Sequence, residues 1–144
     1  MLKSIYSLTM QAAEAVAAVR PYLSASQMAI IAIAMRGEEQ AFFMETMVDL
    51  AVQIGAMPQT FEQDGLGHLS IAFLHYFTGG SDWYITEKDV LDGVSQAYGY
   101  AILNSDLQNA EYGVISIEEL TAEGAELDLH FKSCSMAEII ARRA

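Results

Sequence analysis

The first third of the chain places hydrophobic residues at helical spacing. Apolar side chains recur every three or four positions, as on one face of an α-helix. The residues of this face are Ile5, Leu8, Ala12, Val16 and Val19. Pro21 follows them, and proline is not tolerated in the interior of a helix. We therefore predict a first amphipathic helix that ends at about residue 20.

Two more helices are predicted before residue 58. The apolar run Met28–Met35 indicates a buried helix, and either Ser24 or Ser26 is placed to cap its N-terminus. A third helix is expected to start near Glu38, because acidic residues are favoured in a first turn. Its hydrophobic face continues to the region of Pro58, which closes it.

After residue 60 the pattern changes to short aromatic and β-branched runs separated by turn residues. These runs predict strands at Leu69–Phe77, Trp83–Thr86, Tyr98–Leu103, Tyr112–Ile115 and Leu127–Phe131. A Ser-x-x-Glu pattern at Ser116 and Glu119 predicts the cap of a short helical turn. A terminal helix is expected over Ser135–Arg142.

This order of elements predicts an α+β fold. A helical layer of about three helices in residues 1–58 should pack on an antiparallel β-sheet formed by residues 59–144, followed by a short terminal helix. At 144 residues both parts are expected to form one compact body.

Composition narrows the class of protein. Hydrophobic residues make up 53% of the chain, and the formal net charge is −12, which excludes an acidic disordered tail and argues against direct nucleic-acid binding. The single cysteine, Cys134, excludes an intramolecular disulfide and fits a reducing cytoplasm. The residues from Met1 to Tyr6 show no signal-peptide core, and no apolar run is long enough for a bilayer span. We expect no membrane contact, and the apolar fraction is compatible with a homodimer.

The acidic residues concentrate in the second half. Residues 82–128 hold eleven acidic residues and one basic residue, Lys88. Alternate strand residues lie about 6.6 Å apart, close to the roughly 7 Å spacing of DNA phosphates, so Glu87 and Asp89 could imitate a nucleic-acid backbone. The alternative is an acidic surface that only maintains solubility.

No catalytic or metal-binding motif is evident in the sequence. His68, His75 and His130 match no zinc spacing, and packing or hydrogen-bonding roles are expected for them. Cys134 has no convincing histidine partner, although Lys132 lies nearby in sequence. We therefore expect a non-enzymatic protein without metal or cofactor.

Trp83 and Tyr84 follow a Gly-Gly turn and allow two interpretations. Aromatic side chains stack on bases in single-strand binders. Without basic neighbours they are better suited to the sheet core or to a protein interface. With the acidic residues they complete the predicted partner-binding set: Asp82, Trp83, Tyr84, Glu87, Asp89, Asp92, Glu111, Glu118 and Glu119.

Several motifs follow one another in order between His75 and Phe131. In His75–Asp89 a Gly-rich turn precedes Trp-Tyr-x-Thr-Glu-x-Asp, and Tyr98–Tyr100 supplies an aromatic-Gly step. Glu111–Leu120 carries an acidic-x-Gly element that leads into Ser-x-x-Glu-Leu, and Glu126–Phe131 is the last motif. Together these motifs resemble an uncharacterised domain family of plasmids, phages and integrative elements. The resemblance spans roughly residues 57–131. It implies a mobile-element accessory protein, of a kind often found near conjugation and antirestriction functions, with no enzymatic activity to transfer.

Three functional hypotheses follow. The first is an anti-CRISPR or antirestriction inhibitor whose acidic, DNA-mimicking face occupies the basic channel of a host nucleic-acid-targeting complex. The second is an accessory interaction module in plasmid transfer or replication. The third is an enzyme acting on a small substrate, which would require a deep pocket lined by ionisable side chains.

Overall fold

A computed structural model describes residues 5–143, with side chains from residue 7 onward. The residues Met1–Ser4 and the side chains of Ile5 and Tyr6, which entered the predictions above, lie outside this part. The helices are α1 (Ile5–Val19), α2 (Ala25–Ala34), α3 (Gln40–Ala56), α4 (Ile117–Ala122) and α5 (Met136–Arg143). The strands are β1 (Ile71–Ala72), β2 (Leu74–Thr78), β3 (Ser81–Asp89), β4 (Gly93–Ile102), β5 (Glu111–Ile115), β6 (Glu126–Leu127) and β7 (Cys134–Ser135). The predicted α+β class is confirmed.

Two of the helices begin at serine caps that the sequence indicates. The Ser24 hydroxyl accepts a hydrogen bond from the Gln27 amide, so Ser24 rather than Ser26 caps α2. The Ser116 hydroxyl accepts from the Glu119 amide at the start of α4. Each cap satisfies one of the amide groups that a helix leaves unpaired at its N-terminus.

The main sheet has five strands in the order β5-β4-β3-β2-β6, and each neighbouring pair is antiparallel. Tight hairpins join β2 to β3 and β3 to β4. The edge strand β6 is held by α2, because the Gln27 side chain both donates to and accepts from the Leu127 backbone. A second, two-stranded antiparallel ladder pairs β1 with β7.

The main sheet contributes to two hydrophobic clusters. The larger one lies between the helical layer and sheet residues such as Tyr76 and Ile85. The smaller one contains Tyr84 and Tyr100 and is covered by α5 through Met136 and Ile139. Because both faces have apolar cover, acidic residues can reach solvent mainly at strand ends and turns.

The predicted strand Leu127–Phe131 is wrong beyond its first residue. Strand β6 ends at Leu127, since the Asp128 carboxylate accepts a hydrogen bond from the His130 amide and turns the chain. Such Asx turns compete with strand pairing. The predicted strand Leu69–Phe77 is likewise divided into β1 and β2, with Phe73 between them.

Strand β3 contains an irregularity that changes which side chains are buried. Ile85 pairs with Gly99, but Glu87 pairs with Tyr98, so two residues of β3 advance against one residue of β4. This is the register of a β-bulge. The strict in-out alternation stops there, and Thr86 and Glu87 are both buried.

Within residues 5–143, every helix is too short or too polar to cross a bilayer.

Candidate functional site

The predicted partner-binding acids lie at opposite ends of the sheet. Asp82 pairs with Ile102, whereas Asp89 pairs with Gly93 at the other end of the same two strands. Seven residues of extended chain correspond to roughly 20 Å. Glu111, opposite Ala101, lies at the Asp82 end. The nine predicted residues therefore form no single face.

One end gathers four exposed or half-exposed acids around the β3–β4 hairpin. Asp89 and Asp92 belong to the hairpin, and Glu118 reaches it through a 3.3 Å contact between its carboxylate and the Ser95 hydroxyl. Glu119 follows in the first turn of α4. We call this surface the acidic tip and define it as Asp89, Val90, Leu91, Asp92, Glu118 and Glu119.

Hydrogen bonds to two carboxylates hold the hairpin in shape. Asp89 accepts from the Leu91 and Gln96 amides at 3.0 and 3.1 Å. Asp92 accepts from the Val94 and Ser95 amides at 2.9 and 2.8 Å. Carboxylate oxygens that accept backbone amide bonds in a turn fix its conformation. The tip is thus a defined structure rather than a loose loop.

This rigid turn displays apolar side chains between its acids. Leu91 is 91% exposed and Val90 is 57% exposed. An exposed apolar patch that is rimmed by polar residues is typical of an interaction site, and these two adjacent side chains form a small patch of this kind. The tip therefore combines an apolar centre with a negative rim.

The electrostatics of the tip favour a permanent negative charge. The Ser95 hydroxyl, followed by the Ser95 and Val94 amides, lowers the pKa of Asp92 to about 2. The ammonium group of Lys88 lies against the C-terminal end of α3, where it donates to the Ile54 carbonyl at 2.9 Å. Lys88, the one basic residue among residues 82–128, therefore has a partner other than the tip carboxylates.

The same tip carboxylates also affect the buried hydroxyl of Tyr22, which belongs to the helical layer. Its pKa is raised to about 12, first by burial and then by the charges of Asp92 and Asp89. An anionic phenolate beside those carboxylates would be doubly unfavourable.

Asp82, at the opposite end, is occupied by contacts within the protein. Its carboxylate lies 2.7 Å from His75 Nε2 and 3.1 Å from the Arg143 guanidinium, and its side chain is 15% exposed. Asp128 approaches the other ring nitrogen of His75 at 3.3 Å. These contacts tie β2, β3 and α5 together, so Asp82 offers little free charge to a partner. Glu111 is exposed at the start of β5.

Three predicted contact residues are not available as exposed anchors or charges. Tyr84 is 5% exposed, and its ring stacks on His75 with centroids 4.5 Å apart. Trp83 is half-buried against the main core. Glu87 is 2% exposed, because the bulge turns it inward, and it cannot form a phosphate-like pair with Asp89. Tyr84 therefore belongs to the sheet core, which is one of the roles that the sequence indicated for it, whereas the predicted surface position of Glu87 is wrong.

The three histidines lie in separate surroundings. His68 contacts the Tyr112 hydroxyl at 2.8 Å, His75 lies between two aspartates, and the His130 ring approaches Phe42. The described part of the chain holds no group of three His, Cys, Asp or Glu side chains arranged for a metal ion.

Sequence reasoning missed the exposed pair Val90 and Leu91. A usable signal was their position directly before Asp92-Gly93, because turn residues lie at the surface whatever their polarity. The burial of Glu87 had no comparable signal in the sequence, because it depends on the bulge, which is set by the pairing of β3 with β4.

Comparisons of the chain with protein-family models, with curated proteins and with solved structures found no match.

Proposed function

We propose that this protein is a non-enzymatic inhibitor that binds a basic, nucleic-acid-binding surface of another protein through its acidic tip. The class of target best suited to such a surface is a host nucleic-acid-targeting defence complex, as in anti-CRISPR or antirestriction proteins. The motif resemblance to mobile-element proteins described above supports this choice of target.

The observation that carries the proposal is the rigid hairpin that exposes Leu91 between two carboxylates. Preorganisation lowers the entropy lost on binding, because the turn is already ordered by Asp89 and Asp92. The exposed apolar pair gains from burial in a partner. The acidic rim selects a basic partner and accelerates encounter, an effect that weakens as salt is added.

The same surface explains why a binding role is favoured over catalysis. The carboxylates of Asp89 and Asp92 are engaged by backbone amides in an exposed turn. A general acid or base needs a substrate pocket and a poised proton, whereas the pKa of Asp92 is lowered to about 2, far from neutral pH. An accessory module in plasmid transfer or replication would use the same surface on a different partner, and is the second candidate.

A capture experiment with matched charge-reversal variants tests the proposal. The tip variant carries Leu91→Ser, Glu118→Lys and Glu119→Lys. The control carries Glu38→Lys and Glu39→Lys, which also reverses two adjacent exposed acids beside a helix start and produces the same change in net charge.

Tagged wild-type protein and the control should retain a host restriction or CRISPR subunit, whereas the tip variant should lose it. Retention of a relaxase or primase instead would replace the proposal with the accessory-module alternative. Equal retention by the tip variant and the control would show that the acidic tip is not the binding surface.

A further inference from the structure

The inward-facing Glu87 lines a cavity of about 210 Å³. The cavity is formed by the loop before β1 and by the strands β3, β4 and β5. Its walls include Phe61, Gln63, Asp64, Tyr98 and Tyr112. Phe61 and Asp64 are exposed and so belong to its rim, whereas Glu87 is 2% exposed and belongs to its interior.

Three aromatic rings contribute to the walls. Phe61 meets Tyr98 edge to face with ring centroids 5.7 Å apart. Tyr98 and Tyr112 are parallel, with an interplanar angle of 7° and centroids 6.3 Å apart. Aromatic faces carry negative electrostatic potential and attract cations.

The Glu87 carboxylate lacks a positive partner. It accepts hydrogen bonds from the backbone amide of Gln63 at 3.3 Å and from the Thr86 hydroxyl. Among residues 5–143 no Lys, Arg or His forms an ion pair with it. A buried carboxylate is normally paired with a cation or stabilised by several hydrogen bonds. Its surroundings supply two such bonds and no formal positive charge.

The Gln63 side chain holds this arrangement in place. Its side-chain amide donates hydrogen bonds to the backbone carbonyls of Ile71 and Thr86 and accepts one from the backbone amide of Ile71. All of its strong interactions are therefore directed to the backbone. The loop is fixed over the cavity, and the Gln63 side chain leaves the carboxylate to other partners.

We infer that this cavity binds the cationic head of an alkylammonium ligand, with Glu87 as counter-ion and the rings of Phe61, Tyr98 and Tyr112 around the alkyl groups. The combination of aromatic faces with a carboxylate is the chemistry that recognises such cations. Asp64 at the rim adds a second negative charge that favours entry of a cation.

The size of the cavity restricts the ligand. At about 210 Å³ it is smaller than the roughly 300–1,000 Å³ of pockets for drug-sized molecules. A small free amine fits this description, and so does the end of a lysine side chain. Both carry the same chemistry, and the experiment separates them.

The test uses the intact protein and two pairs of probes. Choline is compared with its neutral isostere 3,3-dimethyl-1-butanol, and Nα-acetyl-lysine amide with Nα-acetyl-norleucine amide. Binding is followed by shifts of the backbone amide NMR signals of Gln63, Gly65 and Gly67. A cationic probe should bind at least about tenfold more tightly than its neutral counterpart.

The source of the cation follows from which probe binds. Preference for choline identifies a free quaternary ammonium compound, and preference for the lysine derivative identifies a lysine side chain as the ligand. If no cationic probe gives a saturable shift up to roughly 10 mM, or if the neutral probes bind equally well, the inference is overturned.

Two variants assign the contacts. Glu87→Gln keeps the shape of the side chain. It should weaken binding of the cationic probe by roughly tenfold or more, while the affinity for the neutral probe stays unchanged. Glu123→Gln makes the same change of charge at an exposed position at the end of α4, outside the cavity, and should bind both probes within about threefold of wild type. The comparison between charged and neutral probes on wild-type protein stands even if Glu87→Gln does not fold.

Discussion

The hydroxyl of Tyr22 occupies the space into which a side chain at Gly93 would extend. A Cβ atom on Gly93 would lie 2.1 Å from the Tyr22 hydroxyl oxygen, well inside van der Waals contact. Gly93 also has φ +83°, a conformation that residues with a Cβ rarely adopt. This contact joins the helical layer to the hairpin that carries the acidic tip, so the shape of the tip depends on both halves of the fold.

Substitution at this contact should be more destabilising than strain alone explains. Gly93→Ala combines a positive φ with a clash, and we expect it to lower the free energy of unfolding by at least about 2 kcal/mol. Gly124→Ala provides the control, because Gly124 has φ +92° but no atom within 4 Å of its added Cβ. Its expected loss is about 1 kcal/mol. Urea denaturation measures both, and equal losses would show that Tyr22 moves aside freely.

Alkaline pH should destabilise the fold through Tyr22. Its pKa is raised from 10.0 to about 12, first by burial and then by Asp92 and Asp89. A group whose pKa is higher in the folded state contributes stability that is fully present below pH 10 and is lost as pH rises toward 12.

Replacing the hydroxyl should remove this dependence. The free energy of unfolding of Tyr22→Phe should fall less steeply between pH 10 and 12 than that of wild type. Asp92→Asn should lower the Tyr22 pKa, which ultraviolet titration of the phenol reports. Identical slopes for wild type and Tyr22→Phe would contradict the assignment.

The Asp82 carboxylate should contribute measurable stability, because it joins three elements in a largely buried setting. It contacts both His75 and Arg143, and removing it takes the ion-pair partner from Arg143 and leaves His75 only the longer contact with Asp128. We expect Asp82→Ala to cost about 1.5–3 kcal/mol. Glu138→Ala removes an exposed i,i+4 pair with Arg142 and should cost no more than about 0.5 kcal/mol. Thermal denaturation of both variants distinguishes a structural Asp82 from a free surface charge.

The sequence was informative where local chemistry decides the structure. Ser24 and Ser116 cap helices because their side chains reach amides three residues ahead, within the same segment. Asp92-Gly93 forms a turn for equally local reasons, since glycine tolerates the positive φ that the hairpin needs. Helix periodicity and these signals together sufficed for the α+β class.

Features that depend on pairing between strands could not be inferred in the same way. The bulge in β3 is a mismatch with β4, and it buries Glu87, a residue type that is otherwise almost always exposed. Tyr84 is buried because α5 covers its face of the sheet. The alternating pattern after Leu127 is that of a strand, yet Asp128 turns the chain instead. On β3 the predicted contact residues Tyr84 and Glu87 are therefore buried, whereas Asp89 at the end of the strand is half-exposed and Asp92 in the turn is exposed.

We expect the acidic tip to compete with nucleic acid for the basic surface of its partner. The most direct measurement is displacement of labelled DNA from the captured partner by increasing concentrations of wild type, of the Glu38→Lys/Glu39→Lys control, and of the tip variant. Wild type and the control should displace the DNA with equal potency, and both should weaken as salt is raised. The tip variant should be at least about tenfold less potent. Displacement by the tip variant at wild-type potency, or binding of wild type without any displacement of DNA, would contradict the claim.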